Sequence, residues 1–497
     1  MRTWLLLSLG AAALHAAAIR GTVVENQTGR PLSRVLVTIE PVAGTAGQPS
    51  VVRANLYGAF EFEGLAGGAY LVTASRRGFA PIEYGQKRWK APGVPVVVEP
   101  AGMKSLNIRL PRFGAITGVV VDENEVGLPE HDVVAYRATR PPQLVARART
   151  DDRGRYRLSA LEPGKYFVRT VARQYEDGGY LPTFYRETDR LSEAVAVDVE
   201  LDQQAENIDI RPAPGRLATL GGQIVPAAQV NVTLVSDTGA ETALADASGN
   251  FQFAPAAPGQ YELYAQGPAD PRSGTIQAAY QPVTLDRDRS DLRLTLRPLP
   301  QVQFVLRDNL GRPLDSPQIR LLARRKDLAA SGRIQALELQ GDRAAFLPGR
   351  WDLALASVPG YFVSGVSGAR PQAGDPPRAD GWNEILLSAG SEIVQFVLSP
   401  TPGAIHGTVV SPRREPVAGA PVYLEAFDPA TRRRLKDPLG TRADTRGQYR
   451  FADLAPGSYR LLSSFDLDGP DAPLDAAGVL TVRVDESRDL AQDLNLF

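Results

Sequence analysis

One pattern recurs four times along this chain. An Asp or Asn is followed three residues on by Gly and two further on by an aromatic ring. Ten residues after that Gly comes a second Gly, with another ring two places beyond. The copies are Asn55, Gly58, Phe60, Gly68 and Tyr70; Asp151, Gly154, Tyr156, Gly164 and Tyr166; Asp246, Gly249, Phe251, Gly259 and Tyr261; and Asp444, Gly447, Tyr449, Gly457 and Tyr459. Fixed internal spacing means that one structural unit is repeated, which sets the architecture before any other consideration. The turn residues have a mechanism: Asp or Asn bonds its own backbone to start a turn, and Gly takes positive φ at little cost.

The segments between these turns alternate apolar and polar residues, as half-buried strands do. Val35 to Ile39 precedes the first turn, Phe60 and Phe62 share a face after it, and Tyr70 follows the second. Each unit opens on a short strand: Gly21–Val24, Gly118–Val121, Gly222–Val225 and Gly407–Val410. Each closes on a period-two strand: Leu106/Ile108/Leu110, Ile208/Ile210, Leu292/Leu294/Leu296, Phe396/Leu398 and Leu494/Leu496. Pro111, Pro212, Pro298 and Pro400 follow the first four, and proline ends a ladder because it lacks an N–H.

A repeat of roughly 100 residues divides the 497-residue chain into five ordinary domain-sized units. The expected boundaries are a signal peptide at 1–18 and β-sandwiches at 19–112, 113–212, 216–299, 301–400 and 403–497. The fourth is degenerate. It keeps Pro348-Gly349-Arg350-Trp351 but lacks the Asp-x-x-Gly turn, and Lys326 to Gln340, expected to be partly helical, stands in its place. Short linkers bearing proline are stiff, so an elongated, semi-rigid rod is expected.

Composition limits the function classes. A net charge of −1 gives no electrostatic footprint for nucleic acid or an anionic membrane. Arg2, the apolar Leu5–Leu14 stretch and Ala16-Ala17-Ala18 read as a secretory leader with a small-residue cleavage site. No later apolar run has transmembrane length. The chain has no cysteine, so there is no disulfide framework, thiolate metal site or cysteine nucleophile. An exported protein, periplasmic or on the cell surface, is expected.

Thr150-Asp151 through Tyr166 and Ala443-Asp444 through Tyr459 resemble the carboxypeptidase regulatory-like domain, a transthyretin-like β-sandwich. The resemblance implies an all-β tandem array of about five seven-stranded, prealbumin-like or Ig-like sandwiches. It is specific for fold and carries little about function. Domains of this kind accompany zinc peptidases, receptor barrels and surface proteins, and some are classed as carbohydrate-binding-like.

The residues give no catalytic constellation. A zinc peptidase needs a His-x-x-Glu pair and a third ligand. Beyond the leader only His131 and His406 are present, with no carboxylate at that spacing. Gly-x-Ser-x-Gly and phosphate-cradling loops are absent. A paired-carboxylate glycosidase stays open on sequence alone, but small sandwiches offer little room for a deep pocket. No cofactor is expected. Calcium is the conceivable inorganic ligand, at Asp466, Asp468 and Asp471.

The remaining candidates are loop aromatics: Tyr84, Trp89, Tyr180, Phe184, Tyr185 and Trp382. Exposed, they form a surface for stacking sugars. Folded back, they cover sandwich edges or joints. The leading expectation is therefore a non-catalytic exported binding or spacer protein whose partner is polysaccharide or an envelope protein, with a purely structural rod or adhesin stalk as the alternative. Exposed sheet edges add docking by strand addition.

Overall fold

The computed structural model describes residues 17–42, 44–87, 89–90, 93–139, 142–176, 178–236, 239–269, 276–314, 320–325, 335–337, 342–347, 349–356, 358–368, 379–387, 392–430, 432–435, 438–465, 474 and 478–496. Strands dominate, with one 3-10 turn at Leu191–Glu193. The Asp466–Asp471 candidate, Phe497 and most of the expected leader lie outside the described residues. Ala17 and Ala18, assigned to the leader on sequence, are part of the first strand, Ala17–Glu25.

Two compact units divide the chain. The first holds residues up to Ile116 with Ser159–Pro163 and Val199–Ala205; the second holds Thr117–Leu158, Gly164–Asp198 and Glu206 onward. In the first unit, Ala17–Glu25 lies between Ala59–Leu65, antiparallel, and Met103–Leu110, parallel. A second sheet runs Ser50–Arg53, Leu36–Pro41, Gly68–Ser75, with Ile82–Glu83 and Val96–Val98 both on the last of these. Their inner faces close on a core that includes Ile19, Val37, Ile39, Phe60, Tyr70 and Leu110. Alternation along each strand puts every second side chain into that core.

The second unit repeats this plan. Leu220–Val225, Gln301–Asp308 and Gly403–Val410 each sit between an antiparallel neighbour and a parallel closing strand. Separate hydrophobic clusters form around Leu220 and Leu263, around Phe304 and Trp351, and around Val409 and Tyr459. Asp132–Arg137 pairs with Gln143–Arg149 on one side and Gly164–Thr170 on the other. The degenerate segment keeps both sheets but adds Phe362–Ser367 beside its closing strand. Of the stretch expected to be partly helical, Gln335–Leu337 is a strand paired with Leu321–Ala323. A helical turn there would leave the edge of that sheet without its partner.

The repeated turns do what their residue types dictate. Asn55 Oδ1 accepts from Tyr57 N and Ala59 N at 2.9 and 3.0 Å. Asp151, Asp246 and Asp444 accept from the same two positions at 2.8–2.9 Å. Backbone donors, Arg155 N first, hold the Asp151 carboxyl below its ordinary range, and those of Asn250 do the same for Asp246. Gly154 has φ +74°, and a Cβ there would stand 2.3 Å from Val120 O. The same carboxylate device also caps the turn after two opening strands, at Asp122 and Asp308, where the sequence reading had not singled it out.

The second ring of the repeat makes its own closure. Tyr70, Tyr261 and Tyr459 each donate their hydroxyl to the carbonyl four residues back, at 2.8, 2.8 and 2.7 Å. In the degenerate segment Trp351 Nε1 makes the equivalent bond to Leu347 O at 2.9 Å. The indole has replaced the phenol without loss of the bond.

The first ring packs across a glycine. Phe60, Phe251 and Tyr449 pair with Gly21, Gly222 and Gly407 of the opening strands. On the other side of each glycine comes a carbonyl of the closing strand. A Cβ at Gly21, Gly118, Gly222 or Gly407 would lie 2.2, 2.0, 2.2 or 1.8 Å from Leu106, Ile208, Leu292 or Gln492 O. Two of these carbonyls are capped by the ring hydroxyl itself. Tyr156 donates to Ile208 O, and Tyr449 donates to Gln492 O at 2.5 Å. Burial raises the pKa of both hydroxyls, keeping them as donors.

Gly407→Val therefore has to displace backbone, and a loss of roughly 3 kcal/mol or more is expected. Tyr449→Phe loses one hydrogen bond and should cost about 1 kcal/mol. Denaturant unfolding of the full chain, followed through the transition that contains the C-terminal sandwich, measures both. A Gly407→Val cost no larger than that of Tyr449→Phe would contradict the close approach.

Candidate functional site

Six loop aromatics are the sequence-predicted site; Tyr84 and Trp89 belong to the first unit, and Tyr180, Phe184, Tyr185 and Trp382 to the second. In the first unit, Tyr84 is half-buried against the core. Trp89 is half-buried, edge-on to Phe113 at 6.0 Å, with the Lys90 ammonium 5.8 Å from its ring. It borders a cavity of about 90 Å³ with Pro81, Ile82, Pro111 and Leu201. Its indole N–H is buried with no acceptor among the described residues. Nearby, Asp202 accepts from Asn26 Nδ2 at 2.8 Å and from Arg112 N at 2.7 Å. Arg112 pairs with Glu25 at 2.5 Å and stacks over Phe79 at 4.5 Å. The Thr28 hydroxyl, then Arg112, hold the Glu25 carboxyl below its usual range.

In the second unit, Phe184 is 1% exposed and joins Val134 and Tyr136 in a core cluster. Tyr180 is 8% exposed, packs edge-on against Tyr175 and His131, and donates to Glu123 Oε2 at 3.2 Å. These two rings, proposed on sequence as a ligand surface, are interior. They fold back because a loop of this length buries more apolar area by covering the sheet than by facing water. Tyr185 stays half-buried beneath the Arg186 guanidinium, 4.9 Å away.

His131 is the centre of this aromatic group and is fully buried. Its ring nitrogens face the Tyr175 hydroxyl and Val171 O, both at 3.0 Å. Tyr175 Oη also lies 2.8 Å from Pro129 O. Burial pushes the imidazole pKa down to about 4, so it is neutral at pH 7. His406 lies on a different strand, 2.7 Å from Asp489, which also binds Arg450. The two histidines are in different sandwiches, the first buried and the second partly exposed beside Asp489. Among the described residues no group of three His, Cys, Asp or Glu is placed to hold a metal ion.

Trp382 reaches the one mainly apolar cavity of size among these sites. It measures about 160 Å³ and is lined by Leu322, Val358, Tyr361, Phe362, Leu424 and Leu454, with the carboxylate of Asp380 at its wall. Arg324 stacks on the Trp382 ring at 4.4 Å and is itself held by Asp352 at 3.0 Å. The Trp382 indole N–H, like that of Trp89, has no acceptor among the described residues. A larger polar cleft of about 1160 Å³ opens between Gln143–Arg149 and Gly239–Leu244, both edge strands. Asp132, Arg147, Arg169 and Glu241 line it. Burial pushes the Asp132 carboxyl up, but Arg147 and Arg149 outweigh it and hold the group low. Cleft and cavity offer shape and hydrogen bonds.

Residues 18–111 and 115–211 each match the family model described as the carboxypeptidase regulatory-like domain. These two segments are carboxypeptidase regulatory-like domains. The motif of the second segment, Asp-x-x-Gly-x-Tyr leading to Pro-Gly-x-Tyr, recurs at 444–459 with the same pair of backbone N–H bonds to its Asp side chain. No curated protein matches the chain. Similar solved structures include the minor pilin of Streptococcus agalactiae, at 14% identity over 40% of this chain and 97% of that one, with a TM-score of 0.25. A streptococcal ancillary pilin is 12% identical over 56% of this chain and 99% of its own, with a TM-score of 0.20. A shaft pilin of Lactobacillus rhamnosus GG is 14% identical over 40% and 98%, with a TM-score of 0.23. No helix among the described residues is long and apolar enough to cross a membrane.

The regulatory-like sandwich that contains His131 carries a testable pH signature. Its folded pKa lies below the unfolded value of about 6.5. The unfolded state therefore binds the extra proton first. The stability associated with the neutral ring is complete above pH 6.5 and is lost as pH falls toward 4, by on the order of 2–3 kcal/mol. His131→Phe should flatten that part of the stability–pH curve, measured by urea unfolding at stepped pH. An unchanged slope would contradict the assignment.

Proposed function

We propose that this chain is a non-catalytic, exported spacer that holds an attached partner at a set distance within or outside the cell envelope. The observation that carries the reading is how successive sandwiches of the second unit are joined. No free linker separates them; the connecting residues are hydrogen-bonded to the sandwiches they join, and at the first of these joints Arg216 reaches into the third sandwich by donating to Asp288 Oδ2 at 2.9 Å. Leading into the third sandwich, Leu181 N donates to Ala213 O, Gly215 N to Gly179 O and Ala213 N to Thr183 Oγ1, at 2.8, 2.8 and 3.1 Å. Leading into the fourth, Leu299 N donates to Ile276 O and Phe346 N to Pro300 O, both at 3.0 Å, and Arg325 stacks over Tyr280 at 4.1 Å. Leading into the fifth, Ser399 and Thr401 share a 3.1 Å bond, Ser487 N donates to Thr401 O at 3.1 Å, and Gly360 N donates to Asp453 Oδ1 at 2.8 Å.

Bonds of this kind fix relative placement and add little as catalytic equipment. They suit a protein whose product is a distance. The partner class is an envelope protein or a polysaccharide. The second of these is supported by Trp382, whose side chain borders a cavity.

Limited proteolysis tests the spacer. Cleavage within 211–219, 297–301 and 399–403 should be no faster than cleavage inside the sandwiches. Rapid release of single sandwiches would overturn the reading. A glycan array on the chain from Ile19 tests the second partner class: binding lost in Trp382→Ala supports polysaccharide, and a blank array leaves a protein partner.

A further inference from the structure

We infer that each sandwich is built as a shear clamp and that the chain bears tension between its two ends. The inference rests on the spacer reading for its use in the cell; the clamp itself stands on strand pairing.

In every sandwich the strand by which the chain enters lies parallel and adjacent to the strand by which it leaves. In the first, pairing runs without a break from Ala18↔Met103 to Glu25↔Leu110. In the fourth it runs from Val302↔Glu392 to Asp308↔Leu398. The third pairs Leu220 with Arg289 and then Gly222 to Val225 with Leu292 to Thr295. The fifth pairs Ala404–His406 with Asp489–Ala491 and Val409–Val410 with Leu494–Asn495. For the second, Gln204 and Ala205 pair with Ala115 and Ile116 in the first compact unit, and Val120 bridges Ile210 in the other.

Direction decides how such a pair responds to a pull. Tension enters at the N-terminal end of the opening strand and leaves at the C-terminal end of the closing strand. Because the two are parallel, those points lie at opposite ends of the ladder. The pull therefore runs along the strands, and all the bonds between them are loaded together. An antiparallel hairpin pulled from its open end parts one bond at a time. The parallel pair is thus the strong arrangement even though its bonds are individually no stronger.

The glycine approach adds a lock. Sliding the closing strand along its partner must carry Gln492 O past Gly407 and break its bond from the Tyr449 hydroxyl. The ladder is also extended past the strand ends, by Asn26 N to Leu110 O at 3.0 Å and Leu496 N to Val410 O at 2.9 Å. The core cannot be opened from the chain ends until this ladder fails.

Single-molecule force spectroscopy on the intact chain, held at its two ends, tests the inference. Separate high-force events are expected, each releasing about 300 Å for roughly 90 residues. The decisive comparison moves one handle to the thiol of a Leu56→Cys variant. Leu56 is exposed and sits beside Ala59, which pairs with Thr22 toward the Leu110 end of the ladder. Pulling from there peels the first sandwich, and its unfolding force should fall severalfold. Tyr449→Phe should lower one event, and Phe60 and Phe251 show that the position accepts phenylalanine. Leu461→Ala, a core change away from the ladder, should lower equilibrium stability more than force. Equal forces in the two pulling directions, or a larger force loss from Leu461→Ala than from Tyr449→Phe, would overturn the clamp. Neither outcome bears on the protease test of the spacer.

Discussion

The contact on which the first, second, third and fifth sandwiches depend is the close approach of a closing-strand carbonyl to a glycine of the opening strand. It recurs at Gly21, Gly118, Gly222 and Gly407. The approach explains why a residue that ordinarily weakens strands is used there. It also explains the ring at the start of the strand after the first turn. With no side chain on the glycine, Phe60, Phe251 or Tyr449 lies across the gap from the other side. One backbone-to-backbone contact thus couples a glycine to a ring 29 to 42 residues further on, and with them the order of the sheet.

From that centre the structure separates local from tertiary causes. The Asx turns and the hydroxyl-to-carbonyl bonds of Tyr70, Tyr261 and Tyr459 are local, closing loops within four residues. They direct strands back toward the glycine. The core then adds the larger energy, since each buried aromatic contributes about 1.5–3 kcal/mol by leaving water. Charges stay mostly at edges and joints. Where one is buried, as at Glu425, it is met by Arg434 and Arg460 on neighbouring strands, because an unpaired buried carboxylate would be costly.

Much of this was legible in the sequence. Asp151, Gly154 and Tyr166 named their own turns, and the alternating runs named the strands. The parallel partner of each opening strand was not legible, because alternation gives a strand's faces and says nothing of its neighbour. Trp351 hid the continuity of the fourth segment, since an indole N–H makes the bond expected of a phenol. The loop aromatics were misleading for a physical reason. Tyr180 and Phe184 sit between turn-forming residues, which suggests exposure, yet His131 and the neighbouring sheet give them an interior to enter. Trp382 was among the candidates, and its cavity is lined from segments as distant as Leu322 and Leu454. No local pattern could have assembled that set.

Native-state hydrogen exchange on the full chain tests the central dependence most directly. If opening and closing strands hold each sandwich together, amides on both sides of the ladder, such as Val24 and Leu496, should exchange only when their whole sandwich unfolds. Their exchange free energies should then equal those of core amides such as Val72 and Leu461. Closing strands that exchange at distinctly lower free energy, while the central strands stay protected, would contradict the account.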